Sequence, residues 1–385
     1  MSFTAPLALY ILLAVYFFFS LALSFIQVIT LGSLEGRRAA KAVGHGRQPS
    51  MTAIIPCRNE ADAISACIDS ILAQSYDDLE VVVVDGWSED GTWEKLQAYG
   101  SRIRAVREGE RPAGWTGKNW GAYTGYLQAR GEYLLFTDAD MVFGDGVIGR
   151  AVETLRGEGC DMLSLGPSIR MATFWERAVL PLFAQFVLLL FQPQLMNRDI
   201  AGWSMANGQF MLMPRGAYEK AGTHSAISSI IVEDIALAGA FRAAGMKVRF
   251  YWAGSSLETR MYSSLGEISR GMVRDIQGGL GKGYGFYIFD LAYLAVSFLS
   301  PLAMMAYAWQ VQQALLIAVA VISLILVMLR MLTFQIGTGS PAIYVLIYPV
   351  PAAAYMCMVA AAFWRAIRGM GVEWKGREYG MPPPG

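Results

Sequence analysis

The placement of its long apolar runs, one at the N-terminus and three near the C-terminus, limits what this chain can fold into more than any other feature. Residues 6–31 carry no charge, and a bilayer core needs about 20 helical residues, so this run predicts a transmembrane anchor. A cleaved signal peptide is the rival reading. The run lacks a basic leader and exceeds the roughly 7–15 residues of a signal core, which favours an anchor over residues 1–34. Residues 286–309, 314–334 and 342–364 are the other three, and they predict a C-terminal membrane region over 286–364. A further apolar stretch at 178–196 contains Pro181 and Pro193; it reads as an interfacial helix over 178–197 or as a buried one. The 55% hydrophobic fraction and mean hydropathy of +0.38 agree with a chain that lies partly in lipid.

Charge placement orients these segments. Arg37, Arg38, Lys41 and Arg47 follow the anchor, and the positive-inside rule assigns such a cluster to the cytosol. The expected protein is therefore multi-pass in the cell (inner) membrane, with its N-terminus outside and its polar domain facing the cytosol. Three full spans after that domain would leave the C-terminus outside. Arg365, Arg368, Lys375 and Arg377 in the basic tail, 365–385, argue for inside. The two agree if one apolar segment is re-entrant or interfacial. A formal charge of zero, from 31 basic and 31 acidic residues, leaves no footprint for nucleic acid as a partner. Cys57, Cys67, Cys160 and Cys357 have neither CxxC nor Cys/His ligand spacing, which opposes a zinc site or a disulfide framework.

Between the anchor and the C-terminal runs the composition is that of a soluble domain, read here as 48–275. Strand-like runs at 52–56, 80–85, 103–107 and 133–138 alternate with helix-like or loop segments such as 62–74, 92–99 and 118–129. Helices between strands predict a Rossmann-like α/β fold with a mainly parallel sheet. Ligands of such sheets gather at the carboxyl ends of the strands, and Asn59, Glu60, Asp85, Asp138 and Asp140 all fall there.

The strongest motif is Thr137-Asp138-Ala139-Asp140 at the end of an apolar strand. Two carboxylates at this spacing are hard oxygen ligands for a divalent cation, Mg2+ or Mn2+, which neutralises a departing diphosphate. Alone, the tripeptide equally suits a solvated turn. Ile54-Ile55-Pro56-Cys57-Arg58-Asn59-Glu60 and Val84-Asp85-Gly86-Trp87-Ser88-Glu89-Asp90-Gly91-Thr92 are two further strands leading into polar loops. Glu233-Asp234 opens an apolar helix; taken alone, acids there serve the helix dipole and free N–H groups.

These motifs together resemble family-2 glycosyltransferases of the GT-A fold. The resemblance implies that Pro56, Asn59, Glu60 and Asp85 surround the nucleotide of a nucleotide-sugar donor, that Asp138 and Asp140 hold diphosphate and metal, and that Asp234, helped by Glu233, is the catalytic base of an inverting transfer. Many relatives carry two acids after the second strand; here Gly86 follows Asp85, leaving one. Pro112-Ala113-Gly114-Trp115-Thr116-Gly117-Lys118-Asn119-Trp120, Asn207-Gly208-Gln209, Gly222-Thr223-His224 and Trp374-Lys375-Gly376-Arg377-Glu378-Tyr379 narrow the resemblance to hopanoid-associated and carotenoid (diaponeurosporenoate) glycosyltransferases, and more distantly to ceramide glucosyltransferases. This implies a lipid acceptor such as a hopanoid, carotenoid or glycolipid precursor, a bilayer as partner, and UDP as nucleotide.

Lys118 is a point charge suited to phosphate. Trp115 offers a flat face to a sugar and equally suits packing. Gln209 and His224 are candidate acceptor contacts, and His224 equally suits a hydrogen-bonded loop. Arg274, in Gly271-Met272-Val273-Arg274-Asp275, retains the arginine of the Q/R-x-x-R-W motif of processive and ceramide-type relatives without its first polar residue or its tryptophan, which weakens the alternative of a processive polysaccharide synthase. A non-catalytic membrane transport or scaffold protein is the other alternative; retention of all four acids, Asp85, Asp138, Asp140 and Asp234, opposes it. Gly278–Gly283 lacks phosphate-loop spacing and is discarded.

Overall fold

Runs of branched apolar residues pair edge to edge to form the centre of an eight-stranded sheet. In the computed structural model, residues 48–199, 204–280, 283–374 and 377–380 are described, together with 18, 21 and 22. The basic cluster and the rest of the anchor lie outside the described residues, as do Lys375, Gly376 and 381–385 of the tail. Strands β1 (Met51–Cys57), β2 (Leu79–Asp85), β3 (Arg104–Arg107) and β4 (Tyr133–Phe136) run parallel. Their register places Cys57 beside Asp85 and Ile54 beside Phe136, so the loops carrying the polar motifs leave from one edge. β5 (Met141–Phe143), β6 (Met162–Ile169), β7 (Met211–Pro214) and β8 (Val248–Thr259) complete the order β3-β2-β1-β4-β7-β6-β8-β5. The sheet is mixed: β7 is antiparallel to both β4 and β6, and β5 is antiparallel to β8.

The helices that bear on the site are, in chain order, α1 (Ile64–Leu72), α2 (Thr92–Gln97), α3 (Gly117–Gln128), α4 (Val147–Gly157), α5 (Phe174–Leu190), α6 (Glu233–Ala243) and α7 (Leu265–Asp275), with two short ones, Pro193–Met196 and Arg215–Lys220, between α5 and α6. One face of the sheet buries Ile64, Ile68, Val152 and Leu155 from α1 and α4. The other buries Ala122 of α3 with Leu237 and Phe241 of α6. Two glycines let α3 press onto β1: a Cβ at Gly121 would lie 3.0 Å from Pro56 Cβ, and one at Gly125 would lie 2.4 Å from Ile54 Cγ2. That close approach puts the first turn of α3 at the polar edge of the sheet.

Among the described residues three helices are long and apolar enough to cross a membrane: α8 (Tyr284–Val311), α9 (Ala314–Gly337) and α10 (Pro349–Ile367). The apolar segment expected at 342–364 is broken. A short 3-10 turn, Ala342–Ile347, precedes α10, because Pro349 has no N–H to continue a helical ladder and favours a first turn instead. α8 contains a π turn at Ala295–Leu299, just ahead of Pro301. Pro301 cannot donate to the carbonyl four residues back, Ser297. Buried Arg330 of α9 donates to that carbonyl at 2.8 Å and lies over the Phe298 ring, satisfying a backbone group that lipid could not.

α5 begins with a capping box between Thr173 and Glu176 and stops at Leu190, before Pro193 rather than at 196. Its Ala178, Val179, Leu182 and Phe186 are buried in one cluster with side chains of α7, α8, α9 and α10.

Candidate active site

The first turn of α3 gathers the site. Thr116 caps the helix by accepting from the Asn119 N–H at 3.2 Å. The next residue but one, Lys118, reaches two carboxylates from distant segments: its Nζ lies 2.6 Å from Asp138 Oδ1 and 2.7 Å from Glu233 Oε1. Burial disfavours the ammonium, but Asp138 and Glu233 outweigh it and hold Lys118 protonated. Asn119, fully buried, brings its Nδ2 to the carbonyls of Ile227, Ser228 and Ile230 at 2.8, 3.0 and 2.9 Å. The loop leading into Glu233 is thereby fastened to the helix that carries Lys118.

Asp140 stands behind Asp138. Its Oδ2 accepts from Thr259 Oγ1, at the end of β8, at 3.0 Å. Burial, then the charges of Asp138 and Glu60, push its carboxyl up to about 7. This crowding of hard anionic oxygens is what a divalent cation would relieve, so the donor set fits Mg2+ or Mn2+. Among the described residues no three His, Cys, Asp or Glu side chains are placed to hold a metal ion by themselves.

The acid pair opens α6. Its N-cap, Val232, makes no side-chain cap. Asp234 Oδ1 accepts from the Ile235 N–H at 2.7 Å, and Oδ2 accepts from the Gly208 N–H, in a separate segment, at 2.9 Å. Burial and neighbouring Glu233 push the Asp234 carboxyl up to about 7, with Lys118 opposing. A carboxylate poised there is suited to general-base work near neutral pH. A Cβ at Gly208 would meet the ends of both side chains, 2.8 Å from Glu233 Oε1 and 2.9 Å from Lys118 Nζ, so the pair would have to shift. Gly208→Ala is expected to displace this pair and lower turnover on the order of 10²-fold, the cost of a misplaced catalytic group. Steady-state rates on the purified variant check this, and a wild-type rate would show that the contact can yield freely.

Residues 52–222 match the family model described as Glycosyl transferase family 2. The chain carries a family 2 glycosyltransferase domain. Over 120 residues it is 32% identical to glycosyltransferase AglE of Haloferax volcanii, covering 30% of this chain and 38% of that protein. Over 241 residues it is 27% identical to the 4,4'-diaponeurosporenoate glycosyltransferase of Staphylococcus aureus, covering 60% of this chain and 62% of that protein. The matches therefore span less than two thirds of either relative. A solved mannosyltransferase of Pyrobaculum calidifontis, in complex with GDP-Man and Mn2+, superposes with a TM-score of 0.51 at 18% identity, covering 92% of this chain and 98% of that one; the likeness is one of fold, the GT-A arrangement.

Within the glycosyltransferase domain the remaining sequence-predicted residues divide by surroundings. Pro56 lines a cleft with Arg58, Glu108, Gly117, Lys118 and Gly121. Asn59 adopts a left-handed backbone, φ 53°; its N–H donates to Ser88 Oγ at 2.9 Å and its Oδ1 accepts from the Glu89 N–H at 3.0 Å, lacing the first two loops together. The Glu60 N–H donates to Thr92 Oγ1 at 2.9 Å, and its charge reaches Asp140. Asp85 is fully buried, 3.6 Å from Arg107 Nε, and Arg107 lies over the rings of Trp87 and Trp93.

Trp115 packs against Trp120 and Tyr123 with centroids 5.3 and 5.2 Å apart. The Gln209 carbonyl accepts from Thr137 Oγ1 at 2.8 Å, bracing the strand end before Asp138. His224 is buried, its Nδ1 2.7 Å from the Tyr218 hydroxyl and its ring against Phe136; burial and then Lys118 lower its pKa to about 3, so it is a neutral core imidazole. Arg274 pairs with Asp275 at 2.8 Å, and its charge reaches Glu233. Nearby, a Cβ on Gly271 would lie 2.2 Å from the Tyr262 hydroxyl, so the ring of Tyr262 fills the place where the related motif has a polar side chain.

Four contributors were not assigned a role from the sequence: Asn119, Gly208, Thr259 and Tyr379. Asn119, Gly208 and Tyr379 sit inside singled-out motifs, whereas Thr259 has no local signal, since its partner Asp140 is in a distant part of the chain.

Proposed function

We propose that the chain is an inverting glycosyltransferase that moves a sugar from a nucleotide-sugar donor, with UDP as the expected nucleotide, to a lipid acceptor at the cytosolic face of the cell membrane. The observation that carries this reading is the Lys118 bridge, which joins the Asp138 motif to Glu233 of the Glu233-Asp234 pair. Asp138 and Asp140 would hold Mg2+ or Mn2+, which supplies positive charge to the leaving diphosphate when bound. Asp234 accepts the proton of an acceptor hydroxyl as its oxygen bonds to the anomeric carbon and the bond to the diphosphate oxygen breaks. A single displacement inverts that carbon. Lys118 keeps the carboxylates from repelling one another and orients Glu233 beside the base.

Membrane placement rests on α8, α9 and α10. α8 leaves the catalytic domain and α9 returns: the Gln335 and Ser340 side chains reach the Arg177 carbonyl near the start of α5 at 3.3 and 3.2 Å, and Glu176 there is ion-paired with Arg260 just after β8. The start of α10 follows directly, with the Tyr344 ring 5.5 Å from Phe174. Its far end is tied to Gln277, which donates to the Met370 carbonyl at 2.7 Å. Both ends of α10 thus lie toward the catalytic domain, which supports two crossings by α8 and α9 and a non-crossing α10. An even number of crossings keeps Arg365 and Arg368 inside, as their charge requires.

The test is to incubate membranes containing the protein with a panel of labelled nucleotide sugars and weigh the lipid extract by mass spectrometry. One sugar added to a lipid is expected; label found only in a water-soluble polymer, or nowhere, overturns the reading.

A further inference from the structure

Two segments far apart in sequence meet: residues 112–120, from which the mechanism above uses Lys118 alone, and the C-terminal tail, which it does not use. Beyond α10 the chain forms a hairpin of β9 (Val372–Trp374) and β10 (Arg377–Tyr379), with Tyr379 opposite Val372. The hairpin is seated from the helix side: Arg365 Nη2 donates to the Gly371 carbonyl at 2.7 Å, and Val372 is buried. From there Tyr379 reaches the catalytic domain. Its hydroxyl oxygen accepts from the Gly117 N–H at 3.1 Å and from Arg111 Nη1 at 3.0 Å, while its ring lies 5.4 Å from the Arg111 guanidinium. Gly117 is the first residue of α3, whose N–H has no partner within the helix. It also lines the cleft with Pro56, Arg58 and Lys118.

We infer that the C-terminal hairpin supplies Tyr379 as a working part of the donor site, on its diphosphate side; this rests on the proposed transferase reading. The hydroxyl holds Gly117, and with it Lys118, in place. Having accepted two hydrogen bonds, it has its own O–H, which donates to no group among the described residues, to give to a phosphate oxygen. Its partners, an arginine and a helix N-terminus, favour an anion. The donor site is therefore completed only by the tail that follows α10.

Binding of UDP and of GDP, each with MnCl2, to the full chain in lipid nanodiscs tests this without reference to turnover. Tyr379→Phe keeps the ring over Arg111 and removes the hydroxyl. It is expected to bind the preferred nucleotide about tenfold more weakly, the scale of a hydrogen bond to a charged group, with an unchanged melting temperature. Equal affinity overturns the inference. Weaker binding accompanied by a lower melting temperature also overturns it, because the hydroxyl would then serve packing alone. If the wild-type protein binds neither nucleotide, the transferase reading falls and takes this role with it.

Discussion

Asp234→Asn is expected to lower sugar transfer by about 10²–10⁴-fold, the usual contribution of a positioned general base, while leaving nucleoside diphosphate binding unchanged. Asparagine keeps the shape, and its one carbonyl oxygen accepts from either the Gly208 or the Ile235 N–H, but it cannot take a proton. The pH profile carries the same signature. The base acts as a carboxylate and its pKa is raised to about 7 by burial and Glu233. Transfer by the wild type should therefore be low on the acid side of that value and rise as pH increases through it. In Asp234→Asn this rise should vanish from the residual rate. A wild-type rate in the variant, or a rise that persists in it, would remove Asp234 from the mechanism.

Asp140→Asn is expected to abolish metal-dependent donor turnover, a loss of about 10³-fold or more if charge neutralisation at the diphosphate contributes about 4 kcal/mol. The fold should survive. The amide still accepts from Thr259 Oγ1, and removing one of three mutually repelling carboxylates relieves Asp138 and Glu60. Turnover with and without added Mn2+, alongside thermal melting of the metal-free protein, separates the two effects. Undiminished metal-dependent turnover would take Asp140 out of the cation site.

The central strands were readable because their information is local. Val81-Val82-Val83-Val84 and Ile54-Ile55 are buried on both faces of the sheet, and such strands read as continuous branched apolar runs ended by polar loops. The placement of Asp138 and Asp140 just beyond a strand was readable for the same reason, since a strand end is a position along the chain. The mixed order of the sheet was not, because β7 and β8 pair with strands laid down long before them. Local pattern also left Trp115 and His224 ambiguous: an aromatic on a helix and a histidine in a loop have the same local sequence whether they meet ligand or core. Their partners, Trp120 and Tyr123 for the one and Tyr218 and Phe136 for the other, are packing partners.

The sequence alone determined that this chain has a Rossmann-like domain with acids at its strand ends and apolar segments long enough for a bilayer, because hydropathy and period record which face of each element is buried. Only the tertiary structure decided that Lys118 joins Asp138 to Glu233, that Gly208 leaves room for them, that Thr259 holds Asp140, and that Tyr379 of the tail comes back to Gly117. Each of these depends on atoms within a few ångströms contributed by segments distant in sequence, and no local pattern encodes a contact that sheet order and helix packing create.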